Sequence, residues 1–352
     1  MAARIVCNDR IMASPVTGVQ RYLGEILRRT GEAIDTVAPA RPLSGAKAHL
    51  WDQAVLPSKL LGRLLWSPSN SGPLAVGRQV LTIHDTISLD HPEWISGLNA
   101  RWYRAMQPSL MRRVAHIIAV SEFTRQKVIS WSGVCEDKVT VIPSGVDGRF
   151  QPTGPAAAGE VRTRLNLPVE RYFLSNCSLE PRKNLAGLFA SWSAAQNSLP
   201  NDVWLYISGG IGASTTFGVY NLPPLPPRVR LLGRVHDNIL PALMSGATGF
   251  LYLSLYEGFG LPPIEAMACG TPAIVSDLTA IPEVVGDAAL RIDPTAIADV
   301  AALIVAVAHD EALRADYRAR GLARARRFDW DYCAKRTLDL LETVATEPEP
   351  EG

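Results

Sequence analysis

Two acidic residues frame the stretch SLYEGFGLPPIEAMACG, residues 254–270. Glu257 and Glu265 stand eight positions apart, with glycines and prolines but no other charge between them. Gly258 and Gly260 permit positive φ and a close approach of backbone to a ligand. Pro262 and Pro263 suit the first turn of a helix, where a missing N–H costs nothing. The amides of Gly258, Phe259, Gly260 and Leu261 would then point outward at a helix N-terminus, a site for an anion such as phosphate. The flanking carboxylates would repel that anion, so their task is different. Ionised carboxylates accept hydrogen bonds, and sugar hydroxyls donate them. A nucleotide sugar has one sugar on each side of its diphosphate, which matches two acids on either side of an anion-binding turn. The plainer alternative is that Glu265 complements the helix dipole in its first turn and Glu257 is solvated.

Arg182 and Lys183, in LEPRKNL (179–185), follow an apolar run and open a helical pattern. There they can neutralise an anion, or they are a solvated turn. His84 and Asp85 end the run QVLTIHD (79–85). They could be half of a hydrolase triad, but Ser14, Ser69 and Ser144 lack the G-x-S-x-G frame of a nucleophile elbow. Gly210-Ile-Gly212 resembles the start of a dinucleotide fingerprint. Thr215 replaces the third glycine, and the following TTFGVYNLPPLPP reads as a loop and not a helix. Asp329-Trp-Asp331 matches a D-x-D metal motif, yet it stands just before a last helix, where aspartate caps. With no other ligand cluster, no metal is expected.

Elements must hold these residues. Apolar runs at 4–7, 64–67, 79–85, 116–121, 139–145, 171–177, 203–210, 228–233, 249–255, 272–277 and 289–293 read as strands. Most are continuous and not alternating, as in parallel sheets buried on both faces. Helical patterns lie between them at 20–29, 98–114, 122–131, 184–197, 239–246, 263–269, 296–308 and 311–327. The class is therefore α/β, with doubly wound parallel sheets. GRFQPTGPAAAGE (148–160) reads as a linker. It divides the chain into domains at 1–150 and 151–328, with a final helix from 329.

The chain has 352 residues, 47% of them hydrophobic and 20% charged, which suits two globular domains. No apolar run is long enough to span a membrane. The apolar segment at 5–7 is too short for a signal peptide. The five cysteines are scattered without a C-x-x-C, so reduced thiols in the cytoplasm are expected. Residues 1–150 carry 18 Lys/Arg against 12 Asp/Glu, and the remainder 17 against 22. A basic half suggests an anionic partner: nucleic acid, phosphate-rich membrane or a pyrophosphate-bearing acceptor. In ARWYRAMQPSLMRRVAH (100–116), Arg101, Arg104, Arg112 and Arg113 with Trp102 and Tyr103 could meet anionic lipid. Alternatively they form an amphipathic helix whose aromatic side faces the core.

EGFGLPPIEAMACGTPAIVSD resembles the E-x7-E signature of the retaining family 4 glycosyltransferases, which have the two-domain GT-B fold. The resemblance runs through TGVQRYLGEIL (17–27), LTIHDTISLDHPEW (81–94), VIPSGVDGRFQP (141–152), LEPRKNL and LLGRVHDNILPALMSGA (231–247). Bacterial mannosyltransferases of O-antigen and exopolysaccharide assembly are the most similar in look. The resemblance implies two Rossmann-like domains facing a central cleft, the first for the acceptor and the second for the donor, with the last helix crossing back to the first. Glu265 would bind the ribose, and Glu257 would lie by the transferred hexose. The amides of Gly258, Phe259, Gly260 and Leu261 would hold diphosphate and sugar. Arg182 and Lys183 would neutralise the leaving diphosphate. His84 would contact the hexose, Gly18 would let backbone approach the donor, and Arg234 and Val235 would stand on the nucleobase side. One departure is Asn176–Cys177, where many relatives carry an arginine. The implied reaction is metal-independent transfer of a hexose, with GDP-mannose the favoured donor. The acceptor is a glycan or lipid-linked, and no further cofactor or nucleic acid takes part. The protein would be cytoplasmic, with peripheral contact at the inner membrane face through its basic domain. The rivals are a UDP- or dTDP-sugar donor, a nucleotide-sugar 2-epimerase, and a non-catalytic sugar-nucleotide-binding module.

Overall fold

The computed structural model describes residues 5–14, 17–43, 45–210 and 221–347. The chain divides into two compact units, Met1–Gly145 with Asp329–Gly352, and Val146–Phe328.

The first unit carries β1 (Ile5–Asn8), α1 (Gly18–Thr30), β2 (Asp35–Val37), α2 (Gly45–Leu50), β3 (Leu64–Ser67), β4 (Gln79–Ile83), α3 (Ile87–Asp90), α4 (Gly97–Arg113), β5 (His116–Ala119), α5 (Glu122–Ser132) and β6 (Val139–Val141). The second carries α6 (Pro155–Arg164), β7 (Arg171–Asn176), α7 (Leu185–Ala195), β8 (Val203–Ser208), β9 (Val229–Gly233), α8 (Leu240–Ser245), β10 (Gly249–Tyr252), α9 (Leu261–Ala268), β11 (Ala273–Ser276), α10 (Ile281–Val285), β12 (Leu290–Ile292), α11 (Ile297–His309) and α12 (Glu311–Ala325). The last helix, α13 (Trp330–Thr346), belongs to the first unit, where Trp330 meets Tyr22 of α1 at a centroid distance of 6.1 Å.

Each unit is built on one six-stranded sheet. The orders are β2-β1-β3-β4-β5-β6 and β12-β11-β10-β7-β8-β9. Every paired strand is parallel. The strands β1, β3, β4, β10 and β11 are buried along their whole length, which is why their sequences run apolar without alternation. In the second sheet, successive strands run outward from β7 to β9, and the chain then returns to place β10 on the other side of β7. The topology switches between β7 and β10. Open α/β sheets bind ligands outside the carboxyl ends of the strands at such a point.

Helix α12 holds the rear of this unit. Arg314 donates to the carbonyls of Val307 (2.8 Å) and Ala308 (3.2 Å), Arg318 to that of Gly270 (3.0 Å), and Arg324 to that of Val284 (2.8 Å). Three arginines of one helix thus cap the C-terminal ends of α11, α9 and α10, where orphan carbonyls favour cations. At the seam, the amide of Val146 donates to the carbonyl of Phe328 at 3.1 Å, so the second unit begins and ends at adjacent points.

Three readings change. The stretch 148–160 is not all linker, because α6 starts at Pro155. Proline fits the first helical position, and three alanines follow it. His84 and Asp85 lie beyond β4, which ends at Ile83. Strand β2 and helices α2, α3 and α10 are additional, and each is too short to give a clear period. Residues 211–220, with most of the Gly210-Ile-Gly212 motif, lie outside the described residues.

Gly209 follows β8 with φ +134°, and a Cβ there would stand 1.9 Å from the carbonyl oxygen of Cys177. Only glycine allows β7 and β8 to remain this close at their carboxyl ends. Gly209→Ala is expected to cost roughly 3 kcal/mol from the forced backbone and the clash. Urea denaturation, with the midpoint read for the second unit, checks this; a loss below about 1 kcal/mol would contradict the close approach.

Candidate functional site

The site begins with two loops, one after β7 and one after β10. After β7, the amide of Cys177 donates to the carbonyl of Ser208 at 2.9 Å and prolongs the parallel ladder. A single turn, Pro181–Lys183, follows. Asn184 then takes the left-handed conformation (φ 53°) and caps α7 by accepting from the amide of Gly187 at 3.2 Å. The abrupt turn brings Arg182 and Lys183 back toward the end of β10. After β10, the amide of Leu255 donates to the carbonyl of Arg182 at 2.7 Å and joins the two loops.

Glu257 is the centre. It is 6% exposed. Its Oε1 accepts from Lys183 Nζ at 2.5 Å and from the Tyr252 hydroxyl at 2.8 Å. Its Oε2 accepts from Arg182 Nη1 at 2.7 Å. Lys183 Nζ also donates to the Tyr252 hydroxyl at 2.8 Å, so this phenol accepts from the ammonium and donates to the carboxylate. Arg182 Nε donates to Glu180 Oε1 at 2.7 Å, and the Ser178 hydroxyl donates to the same oxygen at 2.7 Å. Two cations and two carboxylates are thus joined in one buried network. Burial by itself raises the pKa of Glu257, but Arg182 and Lys183 outweigh it and hold the carboxyl at about 2. Burial, with Glu257 beside it, pushes the Tyr252 phenol well above its usual value. Neither Glu180 nor Tyr252 is visible as functional in the sequence. The only signal is that Glu180 directly precedes the Pro-Arg-Lys turn.

The turn after Glu257 leads into a helix start as the sequence predicts, with one change. Gly260 takes positive φ (97°) and caps α9, whereas Gly258 does not. A Cβ at Gly260 would lie 2.4 Å from Ile281 Cδ1. The amides of Phe259, Gly260 and Leu261 donate to no atom of the described residues. Gly258, Phe259 and Gly260 are buried. Free amides at the start of a helix are the groups that an anion can satisfy. The hydroxyl of Ser254, in the same loop, is also buried without a partner among the described residues. Glu265 sits in the second turn of α9 and is 2% exposed. It therefore does not serve as a first-turn dipole acid, and Glu257 is not solvated. Arg234 (exposed) and Val235 (buried) follow β9, an edge strand two places from β7. The structure brings Glu257, Arg182 and Lys183 into contact, and sets the 259–261 amides directly after Glu257.

His84 and Gly18 belong to the first unit. The amide of His84 donates to Asn70 Oδ1 at 2.6 Å, and its Nε2 stands 2.8 Å from the carbonyl oxygen of Pro68. A carbonyl only accepts, so Nε2 carries the hydrogen and Nδ1 keeps a lone pair. Lost solvation lowers the imidazole pKa to about 4, against a partial rise from the Pro68 hydrogen bond. The ring is neutral at pH 7, with an acceptor nitrogen suited to a hydroxyl donor. Asp85 makes no bond to it among the described residues, so no triad forms there. Gly18 is the exposed first residue of α1, behind a cap in which the amide of Thr17 donates to Gln20 Oε1 at 3.0 Å. Asp329 caps α13 by accepting from the amide of Asp331 at 2.9 Å, and Asp331 pairs with Arg29.

Glu257→Ala leaves the buried Lys183 and the partly buried Arg182 without their shared acid. It is expected to cost about 3–5 kcal/mol of stability. The wild type keeps this contribution above the ordinary carboxyl value of 4.5 and loses it as pH falls toward about 2, because the folded-state pKa is depressed. Urea unfolding of both proteins between pH 7 and 2.5 checks this. A difference that does not shrink on acidification would contradict it.

Comparison with known proteins gives this geometry a family. The model of the glycosyl transferases group 1 matches residues 161–324, and that of glycosyltransferase family 4 matches residues 64–149. O-antigen chain mannosyltransferase B of Escherichia coli is 32% identical over 275 residues, 77% of this chain and 72% of that protein. Phosphatidyl-myo-inositol mannosyltransferase of Mycolicibacterium smegmatis is 28% identical over 366 residues, 93% of this chain and 90% of that protein. Among solved structures, HepE of Anabaena in complex with UDP and glucose is similar with a TM-score of 0.74 at 21% identity, over 97% of this chain and 100% of that one. WaaG, a glycosyltransferase involved in lipopolysaccharide biosynthesis, is similar with a TM-score of 0.71 at 14% identity, over 96% and 99%. The chain belongs to the family 4 glycosyltransferases and has their two-domain GT-B fold.

Proposed function

We propose that this glycosyltransferase moves mannose from GDP-mannose, with retention of configuration, onto a growing glycan or lipid-linked acceptor of a bacterial surface polysaccharide. The observation that carries the reading is that Glu257 draws Arg182 and Lys183 to the loop in which it directly precedes the amides of Phe259, Gly260 and Leu261, which donate to no atom of the described residues. The bond to the anomeric carbon breaks as its electrons pass to the departing diphosphate. Charge therefore develops on phosphate oxygens. Lys183, Arg182 and the amides stand ready as donors, and preorganised donors of this kind supply the largest share of many rate enhancements. With two protein cations available to the diphosphate, we read the reaction as independent of metal. Glu265 is our candidate for the ribose hydroxyls, Gly18 for close backbone approach to the donor, Arg234 and Val235 for the base side, and His84 Nδ1 as an acceptor from a hexose hydroxyl. Mannose is favoured because the relatives in Escherichia coli and Mycolicibacterium smegmatis carry the name mannosyltransferase. A uridine diphosphate sugar is the second reading, favoured by the UDP and glucose found with HepE.

No helix of the described residues is long and apolar enough to cross a membrane. Helix α4 presents Arg101, Arg104, Arg112 and Arg113 together with Trp102, which is 37% exposed. Peripheral contact with anionic lipid at the cytoplasmic face, through this helix, is part of the same proposal.

Incubation with GDP-mannose, UDP-glucose, dTDP-glucose and an acceptor-bearing lipid extract tests the donor. Release of GDP from GDP-mannose alone is expected, unchanged by EDTA. Release from UDP-glucose alone would move the assignment to the second reading, and loss of activity with EDTA would overturn metal independence. Lys183→Ala is expected to cut turnover by roughly 10²–10³, the effect of removing one preorganised stabiliser of developing charge. A loss under about threefold would take Lys183 out of the reaction.

A further inference from the structure

Glu180 is an acid where the reaction asks for none. It is 1% exposed, and its Oε1 accepts from the Ser178 hydroxyl and from Arg182 Nε, both at 2.7 Å. Arg182 is held between two acids: Glu180 takes Nε, and Glu257 takes Nη1. Glu257 alone already bridges both cations. A neutral side chain with one acceptor oxygen would hold Arg182 in the same place. The charge of Glu180 therefore has a separate effect. It brings the buried network of two cations and two carboxylates to neutrality, and it opposes any further negative charge at the adjoining turn. Between like charges in a partly desolvated site such opposition amounts to about tenfold in affinity.

We propose that Glu180 is a positioning residue with two effects: it fixes Arg182, and its charge weakens the hold of the site on the nucleoside diphosphate so that the product leaves between turnovers. The inference rests on the proposed glycosyl transfer. The physical logic is that of transition-state selectivity. Arg182 and Lys183 must grip charge that develops as the bond breaks, yet a fully unopposed cation pair would hold the finished diphosphate as well. A fixed acid behind Arg182 lowers the affinity for the product without moving the donor groups.

Glu180→Gln is nearly isosteric and keeps an oxygen for Ser178 and Arg182, but removes the charge. Calorimetric titration with GDP, UDP and dTDP compares it with the wild type. We expect the diphosphate that the wild type binds to bind about tenfold more tightly to the variant. Turnover should fall, inhibition by added diphosphate should strengthen, and a burst should precede the steady state. A purely structural glutamate predicts the reverse: unchanged or weaker nucleotide binding, which would overturn the proposal. Glu180→Asp keeps the charge and withdraws the carboxylate by one methylene. It should bind diphosphate within about twofold of the wild type while turnover falls. Tighter binding by this variant would also overturn the proposal, and its outcome stands even where Glu180→Gln does not fold. A wild type that binds none of the three diphosphates would remove the glycosyl-transfer reading itself.

Discussion

The second unit is organised around one ion network. Glu257 comes from the loop after β10, and Arg182 and Lys183 come from the turn after β7. These strands are neighbours only because the topology reverses between them. An unpaired charge buried in this position would cost several kilocalories, so neither loop can settle without the other. The network thus fixes the mutual geometry of two loops that lie far apart in sequence. It does so at the place where a parallel sheet offers its ligand crevice. Tyr252, at the end of β10, ties the network to the strand itself.

The same network explains how two cations can be held side by side. A bare lysine and arginine behind a glycine turn would repel each other. Shared acids remove that difficulty and keep both side chains in single positions. The neighbouring amides are handled differently. Gly260 in a left-handed cap, followed by Pro262 and Pro263, leaves few N–H groups at the start of α9. Those that remain converge on a short stretch of backbone. Charge in the side chains and dipoles in the backbone are therefore kept on separate loops, with the acid Glu257 at their junction.

Much of this was legible in the sequence, and the rest was hidden for specific reasons. Continuous apolar runs announce parallel strands, since both faces of each sheet are covered. The Gly-Pro turn announces a helix start, Glu257, Arg182 and Lys183 stand out as charges after strands, and Glu265 as an acid inside the helix that follows. The pairing of Lys183 with Glu257 is a tertiary fact with no local trace. Glu180 and Tyr252 are ordinary letters until the fold sets them beside Arg182 and Lys183. The short strand β2 is too brief to display a period. Helix α6 was obscured because proline and glycine suggest a linker, although proline at the first position and alanines after it favour a helix. The solvated Glu257 of the plainer reading fails because burial was not visible.

The hydrogen bond from Val146 to Phe328 has a consequence for how such a chain can change over time. The second unit is an insertion: one continuous segment interrupts the first unit, and its two ends are one hydrogen bond apart. Segments with adjacent ends can be lifted out of a gene and replaced without stretching the host. Because α12 is bound by its arginines to the second unit while α13 folds with the first, the natural exchange points lie at the seam and not at the end of the sheet. A recombination that cut between α11 and α12 would strip three helix ends of their caps. One that cut at the seam would move the whole segment as a cassette.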